Sequence, residues 1–153
     1  MSIPENDDLQ ALFTRHGLRC TRQRRALYEA LAATDRHPTV DQLFRQVSDS
    51  FPGISLATVY NTLEALCGAG LAQKLPGHNN SNGAAAPARY DAVVHNHLHA
   101  RDRRSGTVRD VPDDLGRKIL DRMPDNVLKQ IESELGFKIE HVQIELVGSA
   151  MPV

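Results

Sequence analysis

Residues 55 to 66 read Ser55-Leu-Ala-Thr-Val-Tyr-Asn-Thr-Leu-Glu-Ala-Leu66, and this stretch decides how the first half of the chain folds. Val59, Leu63 and Leu66 recur at the spacing of one helical face. Ser55 is a typical N-cap residue, and Gly68 favours a helix end. The sequence therefore predicts an amphipathic helix from Ser55 to Gly68.

The polar face of this helix carries small and polar side chains that suit a DNA groove. Asn61 is able to bond a base edge, and Ala57 and Thr58 are able to contact a thymine methyl group. Tyr60 can reach a phosphate, and Ser55 lies on the same outer part of the helix. An ordinary surface helix with a polar exterior has the same pattern, so both interpretations stay open at this point.

Further helices precede this one, and a hairpin follows it. Thr21 and Thr39 are positioned to cap two of the earlier helices. Residues 71–75 and 88–93 have the pattern of two short strands, and residues 76–87 between them form turns, which we expect to be a mobile loop. This order is typical of a winged helix-turn-helix, which we assign to residues 1–88.

The charge of the chain is nearly balanced, because 18 basic and 19 acidic side chains give a net charge of −1. Phosphate binding depends on clustered positive charge, so the distribution matters more than the sum. One run without an acidic residue contains five arginines: Arg15, Arg19, Arg22, Arg24 and Arg25. We predict that Arg15, Arg19 and Arg22 contact DNA, with a solvated surface as the alternative.

The second half of the chain mixes strands with helices. Strand patterns cover residues 97–100, 107–111 and 137–147, and helical patterns cover residues 112–122 and 125–135. Two helices are too few to cover such a sheet. We therefore predict an α+β chain in which residues 89–153 form a small α/β dimerisation domain that a second copy completes.

Two properties favour a cytoplasmic protein without a membrane partner. No apolar run approaches the roughly 20 residues that span a bilayer, and residues 1–8 lack the features of a signal peptide. Cys20 and Cys67 lie far apart, without the spacing of metal ligands. We interpret both cysteines as small buried hydrophobic side chains.

Three histidines alternate along a predicted strand. His95, His97 and His99 would then point to one face of the sheet. Imidazole is a common metal ligand, so the triplet indicates a metal site. Solvated surface histidines are the alternative.

Several separated motifs resemble the successive signatures of the ferric uptake regulator superfamily. They are Gly17-Leu-Arg-Cys-Thr-Arg-Gln-Arg, His37-Pro-Thr-Val-Asp-Gln-Leu, the Ser55 stretch, Arg89-Tyr-Asp, His97-Leu-His and Gly136-Phe-Lys-Ile-Glu-His. The resemblance covers residues 9–148, and Ala-Thr-Val-Tyr followed by His-x-His is its most specific part. It implies a homodimeric metal-sensing repressor that binds an inverted-repeat operator in double-stranded DNA through an N-terminal winged helix.

The resemblance also implies a regulatory metal site. Carried over residue by residue, its ligands are His37, Asp91, His97, His99 and Asp110. A metal there would join the two halves of the chain and fix the spacing of two recognition helices. Five nitrogen and oxygen donors suit Fe²⁺ or Mn²⁺, and Zn²⁺ can occupy such sites in vitro. His95 lies outside the pattern, so we interpret it as a surface histidine.

Two features are similar to the peroxide-sensing branch of the superfamily. Both carboxylate ligands are aspartates, where iron-responsive members tend to carry glutamate, and Asn61 matches that branch in the recognition helix. In that branch bound Fe²⁺ reduces peroxide and a histidine ligand is oxidised. The corresponding targets here are His37 and His97, and a regulator of iron or other metal uptake is the alternative within the superfamily.

The chain departs from the family at its other metal sites. The positions of the structural zinc cysteines hold Asp102, Ser105, Ala150 and Val153, so we predict no structural zinc. The positions of a third site hold Val142 and Arg117, and we interpret the neighbouring His141 as structural or solvated. One metal per chain follows.

Two rivals come from other functional classes. Two histidines and a carboxylate also form the ligand set of non-haem iron oxygenases, although no catalytic base or substrate-binding motif stands out. A helix-turn-helix domain can also serve as an interaction module without DNA. Turnover of an organic substrate would favour the first rival, and the absence of operator binding would favour the second.

Overall fold

The computed structural model of the chain describes residues 6–79, 82–92, 97–140 and 142–152. Contacts divide it into two compact units, which we call unit 1 (Met1–Val94 with Arg104–Gly106) and unit 2 (His95–Arg103 with Thr107–Val153). Three residues with assigned roles lie outside the described residues, namely His95, His141 and Val153. In the described part of the chain, no helix has both the length and the apolar character to cross a membrane.

The described residues of unit 1 form four helices followed by a two-stranded hairpin. The elements are α1 (Asn6–Arg15), α2 (Arg22–Ala32), α3 (Val40–Ser48), α4 (Leu56–Gly68), β1 (Gln73–Leu75) and β2 (Arg89–Asp91). β1 and β2 run antiparallel, with Gln73 opposite Asp91 and Leu75 opposite Arg89. This arrangement confirms the predicted winged helix-turn-helix.

Three helices of unit 1 begin at the predicted caps. Thr21 accepts a hydrogen bond from the Arg24 backbone N–H at the start of α2. Thr39 and Gln42 form a reciprocal capping box at α3, with bonds of 2.9 and 3.3 Å. Each cap satisfies backbone N–H groups that a helix leaves without an internal partner, so these helix starts are fixed by local sequence.

The core of unit 1 lies between α2, α3 and α4. Leu27, Leu43, Val59 and Leu63 are fully buried there. The apolar positions predicted for α4 are therefore its inner face. Its polar face remains available at the surface.

The segment between β1 and β2 carries backbone pairing that the sequence did not predict. Asn79 and Ala85 form an isolated antiparallel bridge, and the Ala86 N–H donates to the His78 carbonyl at 3.3 Å. Gly77 permits the close approach, because a Cβ atom there would lie 1.8 Å from the Ala86 oxygen. The prediction of a loop rested on low apolar content, whereas backbone pairing needs no apolar side chain.

Unit 2 combines a three-stranded sheet with two helices in its described residues. In chain order they are β3 (His99–Asp102), β4 (Val108–Asp110), α5 (Asp113–Leu120), α6 (Asp125–Leu135) and β5 (Glu145–Gly148). The strand order is β4-β3-β5, with β4 antiparallel and β5 parallel to β3. Together with unit 1 these elements confirm the α+β class.

Several boundaries differ from the predicted ones, and β3 covers His99–Asp102 rather than residues 97–100, so His97 lies just before the strand. Among the described residues of the strand expected over 137–147, the ladder with β3 begins at Glu145, the first residue of β5. Before it, the Ile139 N–H donates to the Glu132 carboxylate of α6 at 2.8 Å. The expected boundary between residues 88 and 89 also differs from the observed units, since β2 pairs with β1 and therefore lies in unit 1.

Strand β5 is fixed to β3 by a buried ion pair. The Arg101 Nε and Nη2 atoms each lie 2.9 Å from the same Glu145 oxygen. The Arg101 side chain is 4% exposed and that of Glu145 is 18% exposed. Hydrogen bonds from such shielded charged groups are stronger than those on the surface, so this pair holds the sheet edge in register.

The helices of unit 2 leave apolar side chains exposed. On α6 these side chains follow one another at every fourth position, as Val127, Ile131 and Leu135, and Leu115 and Ile119 do the same on α5. Phe137, Leu146 and Val147 are also exposed. Rows of exposed apolar side chains of this kind are typical of an interface.

Candidate metal and DNA-binding sites

His37 has an unusual backbone conformation. Its φ angle is +48°, and among the described residues it is the non-glycine residue with a positive φ. Such a conformation costs about 1–3 kcal/mol and persists only where the surroundings enforce it. It occurs directly before Pro38 and between two helices, which marks this segment as a constrained point of unit 1.

Strand β2 holds this segment through three consecutive residues. The Arg89 Nη1 atom donates to the His37 carbonyl at 3.0 Å, and the Tyr90 N–H donates to the Pro38 carbonyl at 3.0 Å. Asp91 places a carboxylate oxygen 3.6 Å from His37 Nδ1. The His37 and Asp91 side chains are 1% and 2% exposed, so unit 1 holds this imidazole and carboxylate together away from water.

A second group of predicted ligands meets in unit 2. His99 and Asp110 are paired residues of β3 and β4, and His97 lies two residues before His99. One Asp110 oxygen lies 3.1 Å from His97 Nε2 and 3.5 Å from His99 Nε2. Both imidazoles are almost fully buried, while Asp110 is one-third exposed. The register of β3 and β4 therefore brings His99 and Asp110 together, and His97 joins them from just before β3.

The two groups share one donor chemistry. Each contains imidazole nitrogens beside a carboxylate, and neither contains a thiol. This set suits divalent transition metals such as Fe²⁺, Mn²⁺ and Zn²⁺. The structure thus places His37 with Asp91 in unit 1, and His97 and His99 with Asp110 in unit 2.

The residues predicted to contact DNA are largely at the surface of unit 1. The exposed ones are Arg15, Arg19, Arg22, Ser55, Ala57, Tyr60 and Asn61, and Thr58 is half-buried. Tyr60 is 47% exposed. The Ser55 hydroxyl accepts the Thr58 N–H at 3.0 Å, so this side chain is engaged as the α4 cap.

A surface hollow of about 310 Å³ is lined by residues of the arginine run and of α4. Arg19, Thr58 and Asn61 line it, and so do Thr21, Gln23, Arg24 and Thr62. Arg24 also donates from Nη1 to the Arg19 carbonyl at 3.0 Å. Arg24 was not among the predicted contact residues, although its place in the arginine run was the signal for it.

The cysteines agree with their assignment as hydrophobic side chains. Both are half-buried and pack against the core of unit 1. Burial and the nearby Glu64 carboxylate raise the pKa of the Cys67 thiol. A protonated thiol is a poor nucleophile and ligand, so Cys67 is not suited to redox chemistry.

One of the positions that would carry a structural zinc, Asp102, belongs to the sheet instead. Asp102 ends β3, and its N–H donates to the Thr107 carbonyl at 2.9 Å. Next to it, the Arg103 N–H donates to the Gly148 carbonyl at 2.8 Å, which extends the pairing with β5. Of the two third-site positions, Arg117 is exposed on α5 and Val142 is half-buried. The absence of both metals stays a prediction from the residue types.

Comparison with known proteins gives consistent matches. The sequence model of the Ferric uptake regulator family matches residues 15–147. The Peroxide operon regulator of Bacillus subtilis (strain 168) is 31% identical over 134 residues, which cover 86% of this chain and 81% of the relative. The Peroxide-responsive repressor PerR of Staphylococcus saprophyticus is 36% identical over 95 residues, which cover 62% of this chain and 60% of the relative.

Solved structures agree with the family match. A zinc-bound manganese uptake regulator is 29% identical and superimposes with a TM-score of 0.61 over 94% of this chain and 98% of its own. The resemblance to the peroxide-sensing branch is confirmed by the names of the relatives. These names describe regulators and repressors rather than enzymes. Since the family match covers most of the chain, the protein belongs to the ferric uptake regulator family.

Proposed function

We propose that the protein is a homodimeric, metal-dependent repressor whose release from DNA is triggered by peroxide. The observation that carries this proposal is the meeting of imidazole and carboxylate groups at the matched positions. His37 lies 3.6 Å from Asp91, and His97 lies 3.1 Å from Asp110, each pair within its own unit. The relatives named as peroxide-responsive support the peroxide part.

The proposed metal ligands are those of both groups: His37, Asp91, His97, His99 and Asp110. Their nitrogen and oxygen donors fit Fe²⁺ or Mn²⁺, and Zn²⁺ fits in vitro. Bound Fe²⁺ would relay electrons from the imidazole to a peroxide without being consumed. In the net reaction a C–H bond of the His37 or His97 ring would become C–OH, with one oxygen atom of hydrogen peroxide in the ring and the other released as water. Oxidation of a ligand weakens metal binding and so ends repression.

Dimerisation is proposed for the exposed apolar faces of unit 2. A second copy that covers Ile131, Leu135 and Ile119 removes this surface from water, which stabilises the pair by about 25 cal/mol per Å². A two-fold dimer presents two α4 helices to the two halves of an inverted repeat in cytoplasmic DNA. The metal then acts by fixing the spacing of these helices.

The first experiment measures DNA binding by fluorescence anisotropy. An inverted-repeat duplex is selected from a randomised pool with Mn²⁺-loaded protein, and binding is compared with and without Mn²⁺. We expect Asn61→Ala to weaken binding about tenfold through a lost base contact, and Tyr60→Ala to weaken it through a lost phosphate contact. Gln46→Ala, an exposed amide truncated on α3, is the matched control. Equal binding with and without metal would contradict the sensor function.

The second experiment tests the peroxide response. Protein loaded with Fe²⁺ or Mn²⁺ is exposed to low peroxide, after which DNA binding is measured and the His37 and His97 peptides are weighed by mass spectrometry. We expect the iron form alone to lose DNA binding and to gain one oxygen atom. Iron-loaded protein that keeps binding DNA without gaining oxygen would indicate a metal-uptake regulator of the same family.

A further inference from the structure

Arg89 belongs to the motif Arg89-Tyr-Asp, of which the proposed function uses only Asp91. The side chain of Arg89 is half-buried in unit 1. Its guanidinium donates from Nη1 to the His37 carbonyl and from Nε to the Gly106 carbonyl, each at 3.0 Å. Two separate backbone segments therefore share one side chain.

The residue whose carbonyl Arg89 binds, His37, has an unusual backbone conformation. The backbone of His37 adopts a left-handed conformation that an L-residue avoids unless neighbouring groups hold it. Arg89 donates to that residue itself, while the Tyr90 N–H fixes the following Pro38. The direction of the His37 imidazole toward Asp91 depends on this backbone.

We propose that Arg89 is a positioning residue for the metal ligand His37. It holds the left-handed backbone in place, so that the imidazole is directed toward Asp91 before a metal arrives. The inference rests on the proposed function, because it takes His37 and Asp91 as metal ligands. Partners that orient ligands in this way typically change metal affinity by about 10- to 100-fold when they are removed.

The chemistry of arginine explains why this residue type is required. A guanidinium offers several N–H donors in a fixed planar fork, so it can reach two carbonyls at once. A lysine ammonium retains the charge but lacks this fork. Arg89→Lys should therefore keep the positive charge but not both hydrogen bonds.

The test uses full-length Arg89→Met and Arg89→Lys, with Arg25→Met as the matched control. Arg25 is also half-buried in unit 1, where it binds Glu29 at 2.8 Å on α2. Circular dichroism first confirms folding at the working temperature, and Mn²⁺ affinity is then measured directly from the electron paramagnetic resonance signal of free Mn²⁺. We expect about tenfold weaker binding in both Arg89 variants and wild-type affinity in Arg25→Met.

A DNA measurement separates positioning from a merely structural role. Under positioning, Arg89→Lys needs about tenfold more Mn²⁺ for half-maximal operator binding, whereas maximal binding at saturating Mn²⁺ equals that of the wild type. Wild-type Mn²⁺ affinity in a folded Arg89→Lys variant would overturn the inference, and so would an equal loss in Arg25→Met. If Arg89→Met does not fold, Arg89→Lys alone decides. If wild-type DNA binding proves independent of metal, that result contradicts the proposed function alone. The direct measurement of Mn²⁺ affinity still tests the positioning role of Arg89.

Discussion

The two units differ in how completely each one buries its own apolar side chains and caps its own helices. Unit 1 encloses its apolar residues in a core with fully buried side chains, and side chains cap α2, α3 and α4. In unit 2, α5 and α6 follow Pro112 and Pro124 without a side-chain cap, and α6 has no buried residue. The described part of unit 1 thus covers its own apolar side chains, whereas that of unit 2 leaves many apolar side chains exposed.

The largest expected effect comes from breaking the apolar face of unit 2. Ile131→Asp places a charge in the middle of the α6 stripe, so we expect monomers and at least about 100-fold weaker operator binding, since two linked half-site contacts become one. Ser133→Asp adds the same charge to an exposed polar position of α6 and serves as control. Sedimentation and fluorescence anisotropy measure the two effects. A dimeric Ile131→Asp variant with wild-type affinity would contradict the contrast between the units.

The next effect concerns the ion pair that holds β5 in unit 2. Arg101→Met removes the guanidinium that binds the shielded Glu145 carboxylate, and we expect a loss of about 3 kcal/mol in the free energy of unfolding. The double variant Arg101→Met/Glu145→Met should regain most of this loss, because both charges are then replaced by apolar side chains. Urea unfolding at fixed protein concentration gives both values. An Arg101→Met variant as stable as the wild type would contradict a stabilising role for this ion pair.

The smallest effect tests the local character of unit 1. Thr39→Ala removes the α3 cap and should cost about 1 kcal/mol of stability, whereas Thr39→Ser keeps the hydroxyl and should cost much less. Thermal unfolding of the two variants measures the difference. Equal losses would mean that packing of Thr39, rather than its hydrogen bond, supports α3.

Local signals explain which parts of the fold the sequence predicts. Capping residues and apolar spacing depend on neighbours within one turn, so the start of α4 at Ser55 and both ends of α6 agree with expectation. The extent of β5 depends on its distant partner β3, and the sequence therefore predicted too long a strand. The bridge between Asn79 and Ala85 was missed for the same reason.

The sequence likewise predicts some features of the candidate site and misses others. The spacing of His97 and His99, together with the family resemblance, indicates the ligand residues. No pattern in one sequence shows that His37 adopts a positive φ or that Arg89 holds its carbonyl, because both follow from contacts over about fifty residues of chain. The placement of Arg24 in one hollow with Asn61 likewise depends on how α2 packs near α4.

The central proposal is that the chain binds one regulatory metal, and a stoichiometry measurement tests it most directly. Free Mn²⁺ is followed by electron paramagnetic resonance during titration of the wild type, Asp91→Asn and Asp110→Asn. We expect one tight site per wild-type chain and at least about 100-fold weaker binding in either variant, because each removes a proposed charged ligand. Two tight sites in the wild type, with one retained in each variant, would contradict the claim.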